Sequence, residues 1–140
     1  LMGNVTEHAG GDKPLSQRWY LFAYSDPQTR RVSFTFLDHG VGIFNTLEPK
    51  LTSDTLAWLM PSRRVNLLEG LFTGEHKRTH SGDHFRGKGL PKVYNKYQHA
   101  DDILALAVLT ENVFINFGTG NRVLLDSSFA GTALFWSQQW

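Results

Sequence analysis

Apolar and polar residues alternate along one short segment, Arg31–Leu37. The apolar positions are Val32, Phe34 and Phe36. A period of two residues predicts a half-buried β-strand. The preceding run Trp19–Tyr24 is rich in aromatic strand formers and predicts a second strand. An Asp-Pro pair in the polar stretch between them predicts a turn, so the two strands should form a hairpin.

Apolar residues recur at helical spacing at the start of the chain and again in its middle. Four helices are predicted: one over residues 1–9, one capped by Ser53 or Asp54, one after Pro61, and one that begins within the segment Arg86–Tyr94 and has Pro91 in its first turn. Their apolar positions are Leu1, Val5 and Ala9; Leu56, Leu59 and Met60; Val65, Leu67, Leu68, Leu71 and Phe72; and Leu90, Val93 and Tyr94.

The last third of the chain is rich in strand formers. It predicts strands over Ile103–Leu109, Val113–Phe117, Arg122–Leu125 and Thr132–Trp136, with a tight turn at 118–121. The segregation of helices from strands predicts an α+β fold. We expect a two-layer α/β sandwich in which a mixed, mostly antiparallel sheet is covered on one face by helices.

Composition and charge narrow the possible functions. The 140 residues include 41% hydrophobic residues, enough for the core of one domain, which we expect to span residues 1–140. The 14 Lys and Arg against 13 Asp and Glu give a net charge of +1, so neither nucleic acid nor an anionic membrane is an expected partner. The absence of cysteine excludes disulfides and thiolate metal sites. We expect a cytoplasmic domain with no direct membrane contact.

Candidate chemistry begins where the alternating strand ends, at Asp38, followed by Gly40 and Gly42. Glycines permit close approach to the backbone, and a carboxylate accepts hydrogen bonds, so the amino group of an adenine would fit here. An ordinary strand-to-turn connection is the alternative.

A second candidate site lies on the first predicted helix. Asn4 and His8 share a face of that helix, where the amide oxygen of Asn4 could help hold a hydrated magnesium ion. An ordinary exposed polar face is the alternative there.

A second glycine motif, Arg86-Gly87-Lys88-Gly89-Leu90, leads into the helix that contains Pro91. Free amides at a helix start, approached over glycines, can bind phosphate oxygens. The motif matches neither the dinucleotide-binding fingerprint nor the Walker loop. The polar, glycine-containing stretch Thr73–Arg86 before it predicts a long exposed loop, and such loops are often active-site lids.

These motifs, in this order, resemble the histidine-kinase-like (GHKL) ATPase superfamily with the Bergerat fold. Residues 1–9 resemble its N box, Asp38-His39-Gly40-Val41-Gly42-Ile43 its G1 box, Arg86-Gly87-Lys88-Gly89-Leu90 its G2 box, and Gly131-Thr132 its final Gly-Thr pair. The similarity covers nearly the whole chain. In style it is closest to the ATP-binding domains of bacterial sensor kinases and anti-sigma-factor kinases.

The resemblance implies an Mg-ATP site and assigns roles to individual residues. Asn4 would hold magnesium near the phosphates, and His8 would lie beside them. Asp38 would accept the adenine amino hydrogen, supported by Thr132, and Gly40 and Gly42 would shape the adenine and ribose side. Ile43 would be a further nucleotide-binding residue. Gly87 and Gly89 would line the phosphates through their amides, and Arg86 and Lys88 would neutralise phosphate charge. Leu90 would be a further nucleotide-binding residue, and Thr73–Arg86 would be the ATP lid. The alternative for Lys88 is an ordinary solvated position on the surface, without a role in phosphate binding.

We therefore expect the chain to be the ATP-binding part of a signalling kinase. Its expected ligands are ATP and ADP, and its expected partner is a protein or a phosphoacceptor domain. The acidic residue that the family carries four positions before the N-box asparagine would precede Leu1, and an acid, Glu7, stands where many histidine kinases have a base. We therefore expect a domain cut from a longer protein, with enzymatic turnover left open. The alternative is a nucleotide-gated protein-interaction module with little or no turnover.

Overall fold

The computed structural model describes residues 18–46, 61–75 and 89–140. These ranges form an α+β fold with a four-stranded antiparallel open sheet and two α-helices, which confirms the predicted class. In chain order the elements are β1 (Trp19–Asp26), β2 (Arg31–Asp38), a 3-10 turn (Phe44–Thr46), α1 (Pro61–Thr73), α2 (Gly89–His99), β3 (Ile103–Asn116) and β4 (Asn121–Gln139). The predicted helices at 1–9 and around 54–60 lie outside the described residues.

The predicted hairpin is formed by β1 and β2, which pair antiparallel from Trp19 opposite Asp38 to Asp26 opposite Arg31. Strand β1 continues two residues beyond the predicted Tyr24, and the turn begins only at Pro27. Asp26 can belong to the strand because its backbone pairs while its carboxylate accepts hydrogen bonds from the turn. The hydroxyl of Thr29 donates at 2.8 Å, and together with the Gln28 amide it lowers the pKa of Asp26.

The strand order is β1-β2-β4-β3, and every adjacent pair is antiparallel. The four short strands predicted in the last third are instead two long ones, β3 and β4. The predicted breaks remain as irregular pairing. Thr110 opposes Thr132, Glu111 opposes Phe129 and Val113 opposes Leu124, so residues 130–131 of β4 match no residue of β3, and residues 125–128 lie against Asn112 alone. Such an irregularity bends the strands and re-aims side chains without ending the ladder.

The hydrophobic core joins α1 to one face of the sheet. Leu68 and Phe72 of α1 are fully buried at helical spacing. They belong to one cluster with two further residues of α1 and with residues from the rest of the fold: Val65 and Leu71 of α1, and Phe36, Ile43, Phe44, Leu90, Leu106, Val108, Val113, Ile115 and Leu134. An ion pair between Glu69 of α1 and Arg122 of β4 lies at the exposed edge of this contact and raises the pKa of Arg122. Neither α-helix of the described ranges is long and apolar enough to cross a membrane.

Gly131 allows β4 to lie unusually close to the end of β2. Its φ is +116°, and a Cβ built on it would lie 1.9 Å from the carbonyl oxygen of Asp38. Any other residue would therefore overlap the backbone of β2 in a conformation that L-residues rarely adopt. The close approach of the two strands at this position depends on the absence of a side chain.

We predict that Gly131→Ala lowers the free energy of unfolding by about 3 kcal/mol or more, because backbone strain adds to the steric overlap. Gly120→Ala is the matched control, since Gly120 also has a positive φ but nothing within 4 Å of the new methyl group. It should cost about 1–2 kcal/mol. Urea denaturation of both variants measures the difference, and equal losses would contradict the overlap with β2.

Candidate functional site

The core-facing side of the sheet changes from apolar to polar at one end. Phe36 of β2 pairs with Leu134 of β4, which pairs with Val108 of β3, and all three are buried. Two residues further along, the paired residues are Asp38, Thr132 and Thr110. Because residues two apart on a strand share a face, this second set continues the same face. We call Asp38, Thr132 and Thr110 the polar row.

Thr110 is the buried end of the polar row, with 0% of its surface exposed. Its hydroxyl group accepts a hydrogen bond from the Ile43 amide at 3.0 Å and donates its proton to the Gly131 carbonyl at 3.1 Å. It also lies 3.2 Å from the hydroxyl of Thr132. A hydroxyl has one proton to donate, so with that proton on Gly131 the Thr132 hydroxyl is the donor to Thr110. The lone pairs of Thr132 then remain as acceptors.

Asp38 is the half-buried end of the polar row, and its carboxylate accepts a hydrogen bond from the Gly40 amide at 2.9 Å. On its main chain, the carbonyl oxygen contacts Gly131 as described above, and the next amide, of His39, donates to the Arg18 carbonyl at 2.9 Å. Both the backbone and the side chain of Asp38 are therefore positioned by neighbours.

After Gly40 the chain turns back toward β3 in the segment Gly42–Asn45, which we call the 42–45 turn. Gly42 has a φ of +86°, and a Cβ built there would lie 2.8 Å from the side chain of Glu111. Ile43 is buried in the core, and its amide is bonded to Thr110. The structure therefore makes Ile43 a support of the turn, since its side chain faces the core.

Glu111 fastens the other end of the 42–45 turn. Only 5% of the surface of Glu111 is exposed, and its Oε1 accepts a hydrogen bond from the Asn45 amide at 3.1 Å. Its Oε2 lies 3.5 Å from Nη2 of Arg64, which extends from α1. Burial raises the pKa of the Glu111 carboxyl, whereas the amides of Asn45 and Phe44 and the Arg64 guanidinium act in the opposite direction.

The structure brings together part of the predicted site. Hydrogen bonds and strand register join Asp38, Gly40, Ile43 and Thr132 in one region, with Gly42 beside them. Gly89 and Leu90 lie on α2, where Gly89 is the exposed first residue and Leu90 is buried in the core. The prediction of a helix beginning at the second glycine motif is confirmed. Asn4, His8, Arg86, Gly87, Lys88 and most of the predicted lid lie outside the described residues.

Thr110 and Glu111 were not predicted from the sequence as site residues. The sequence does contain a signal: Thr110-Glu111-Asn112 is a polar triplet between two apolar segments, and it coincides with the predicted break between two strands. Asn112 also contacts α1, because its Oδ1 accepts a hydrogen bond from Nη1 of Arg64 at 2.7 Å. A polar triplet inside an apolar run can therefore mark a buried network as well as a loop.

Comparisons of the chain with models of protein families, with curated proteins and with solved structures found no match in any of the three. Within residues 18–46, 61–75 and 89–140, no three His, Asp or Glu side chains gather where they could hold a metal ion. Asn4, the predicted magnesium ligand, lies outside these ranges. The arrangement of the polar row and the 42–45 turn is thus the basis for any functional assignment.

We predict that Thr110→Val lowers the free energy of unfolding by about 1–3 kcal/mol, because the Ile43 amide and the Gly131 carbonyl each lose a buried hydrogen-bond partner. Thr110→Ser keeps the hydroxyl and should cost less than Val, although it removes a methyl group. Urea denaturation of the two variants separates the contribution of the hydroxyl to stability from that of the methyl group. A Ser variant less stable than the Val variant would contradict the role of the hydroxyl.

A second prediction concerns pH. Because the pKa of Glu111 is raised in the folded protein, the folded state binds this proton more tightly than the unfolded chain does. The stability that this proton contributes is complete below the unfolded pKa and is lost as the pH rises through the folded pKa. We therefore expect the unfolding free energy of wild type minus that of Glu111→Gln to fall as the pH rises above the ordinary glutamate pKa of 4.5. Urea denaturation at several pH values measures it, and a rising difference would contradict the burial effect.

Proposed function

We propose that this chain is the Mg-ATP-binding domain of a histidine-kinase-like ATPase, with the two-layer sandwich of the Bergerat fold. The observation that carries the proposal is the register of β2 and β4, which pairs Asp38 with Thr132. These residues are far apart in sequence, and the resemblance assigns both to the adenine. Their meeting on one sheet row is what a shared adenine pocket requires.

The polar row provides the chemistry for adenine recognition. The Asp38 carboxylate accepts hydrogen bonds, and the exocyclic amino group of adenine donates them. Guanine has a carbonyl oxygen at the corresponding ring position, and two acceptors facing each other would repel. The Gly40 amide already bonds one carboxylate oxygen, which fixes the orientation of the group before a ligand arrives. We therefore propose a preference for adenine over guanine nucleotides.

Phosphate binding would use the start of α2 and the residues before it. The first turn of α2 contains Gly89, Leu90 and Pro91, and amides at a helix start are donors for phosphate oxygens. Arg86, Gly87 and Lys88 would add amides and positive charge. Magnesium, held with the help of Asn4, would neutralise the triphosphate. His8 would lie near the phosphates under a lid formed by Thr73–Arg86.

On this proposal the domain is the catalytic, ATP-binding part of a cytoplasmic signalling kinase. A kinase domain of this kind needs a protein partner that carries the phosphate acceptor. The contribution of the present residues is to orient the nucleotide, since positioning and charge stabilisation supply most of the catalysis of phosphoryl transfer. Polar-row residues hold the base, while the glycine motif before α2 faces the phosphates.

We predict that Asp38→Asn weakens the binding of ADP and of a non-hydrolysable ATP analogue by about 10- to 100-fold, because a charge-assisted hydrogen bond is replaced by a neutral one. Calorimetric titration with and without magnesium measures the affinity. GDP is expected to bind more weakly than ADP to the wild type.

Asp101→Asn is the matched control, because Asp101 is exposed in the turn before β3 and should leave affinity unchanged. No binding of ADP by the wild type would contradict the proposed function. Equal affinities of wild type and Asp38→Asn would remove Asp38 from adenine recognition. A wild type that binds GDP as well as ADP would contradict the adenine preference.

A further inference from the structure

A buried charged group outside the polar row controls the backbone next to it. Glu111 bonds the Asn45 amide through Oε1 and packs its side chain against Gly42, so it contacts both ends of the 42–45 turn. It lies in the irregular part of β3 and has a φ of +52°, which is unusual for a residue with a side chain. Strained backbone of this kind persists where surrounding contacts require it.

Arg64 connects this carboxylate to helix α1. One guanidinium nitrogen, Nη2, is 3.5 Å from Glu111, and the other, Nη1, donates to Asn112 at 2.7 Å. The guanidinium carbon also lies 5.1 Å from the ring centre of Phe44, within the range of a cation–π contact. One side chain of α1 therefore contacts β3 at two successive residues and the 42–45 turn at a third.

We infer that Glu111 and Arg64 are positioning residues for the nucleotide pocket, and that they hold the 42–45 turn at the distance from Asp38 that adenine binding needs. The inference rests on the proposed function. It follows from the contacts because the turn continues directly from Asp38 and Gly40, and Glu111 fixes its far end while Thr110 fixes Ile43. Nucleotide affinity then depends on the position of α1, because Arg64 of α1 contacts Glu111.

Charge is part of this role. Within the described part of the chain, Glu111 is contacted by the Arg64 guanidinium from α1 and by the amides of Phe44 and Asn45, and the apolar residue Phe129 is its partner in the strand register of β4. Arg64 supplies the positive charge among them. A buried carboxylate separated from its cation is unstable, so removal of the Arg64 charge should move Glu111 or protonate it. Movement of the carboxylate breaks the hydrogen bond from the Asn45 amide, and protonation weakens it, because a neutral carboxyl is a weaker acceptor than a carboxylate.

The test combines amide hydrogen exchange in the nucleotide-free protein with ADP affinity. Glu111→Gln keeps the shape and the acceptor oxygen but removes the charge, and Arg64→Met removes the partner charge. We expect each variant to raise the exchange rate of the Asn45 amide and to weaken ADP binding by about tenfold. Arg64→Lys restores the charge and should bring ADP affinity back to within about threefold of wild type.

Glu69→Gln is the matched control, because it breaks a different ion pair of α1, the exposed one with Arg122. It should change neither the Asn45 exchange rate nor ADP affinity. Two results would overturn the inference: Asn45 exchange and ADP affinity unchanged in both Glu111→Gln and Arg64→Met, or the same changes in Glu69→Gln. Loss of ADP affinity in Arg64→Lys equal to that in Arg64→Met would overturn the role of charge.

The failure of this inference can be told apart from failure of the proposed function. If the wild type binds no ADP, the nucleotide site itself is wrong, and the pocket role of Glu111 falls with it. If the wild type binds ADP and Asp38→Asn does not, the nucleotide site stands. Unchanged affinity in Glu111→Gln and Arg64→Met then overturns the positioning role alone.

Discussion

The buried hydroxyl of Thr110 joins three parts of the chain that are distant in sequence. It lies on β3, accepts from the amide of Ile43 and donates to the carbonyl of Gly131 on β4. A buried polar group without partners costs free energy, so each of these segments is held where the hydroxyl can reach it. The position of the 42–45 turn, and with it the surroundings of Asp38, depends on this one satisfied group. The same requirement explains why a polar row can end an otherwise apolar sheet face.

Close backbone packing makes that hydrogen-bond geometry possible. Gly131 brings β4 against the carbonyl of Asp38, and Gly42 brings the turn against the side chain of Glu111. A methyl group at either position would push the segments apart, and the hydrogen bonds of Thr110 and Glu111 operate only over about 3 Å. The two glycines, which lack side chains, therefore allow the close approach that the buried polar side chains of β3 need for their hydrogen bonds. Both favour a rigid region beside the proposed adenine contact.

The Glu111–Arg64 pair adds a charged connection between this region and α1. Burial of a carboxylate is unfavourable by itself, as the raised pKa of Glu111 reflects, and the guanidinium offsets only part of that cost. A pair of this kind contributes more to orientation than to stability. The irregular pairing of β3 and β4 is what aims Glu111 at the 42–45 turn, so a local departure from regular sheet structure has a specific structural consequence.

Local patterns in the sequence determined the hairpin of β1 and β2 and the two helices, α1 after Pro61 and α2 at the second glycine motif. They also placed an acid and two glycines at the end of β2. These features follow from the sequence because hydrophobic periodicity and turn chemistry involve residues that are near neighbours in the chain. The merging of four predicted strands into β3 and β4, and the burial of Thr110 and Glu111, could not be predicted in this way. A polar triplet in an apolar run is equally compatible with a loop. Only the tertiary structure decided that Asp38 pairs with Thr132 and that Arg64 reaches Glu111, because strand register and helix packing depend on contacts between segments that are remote in sequence.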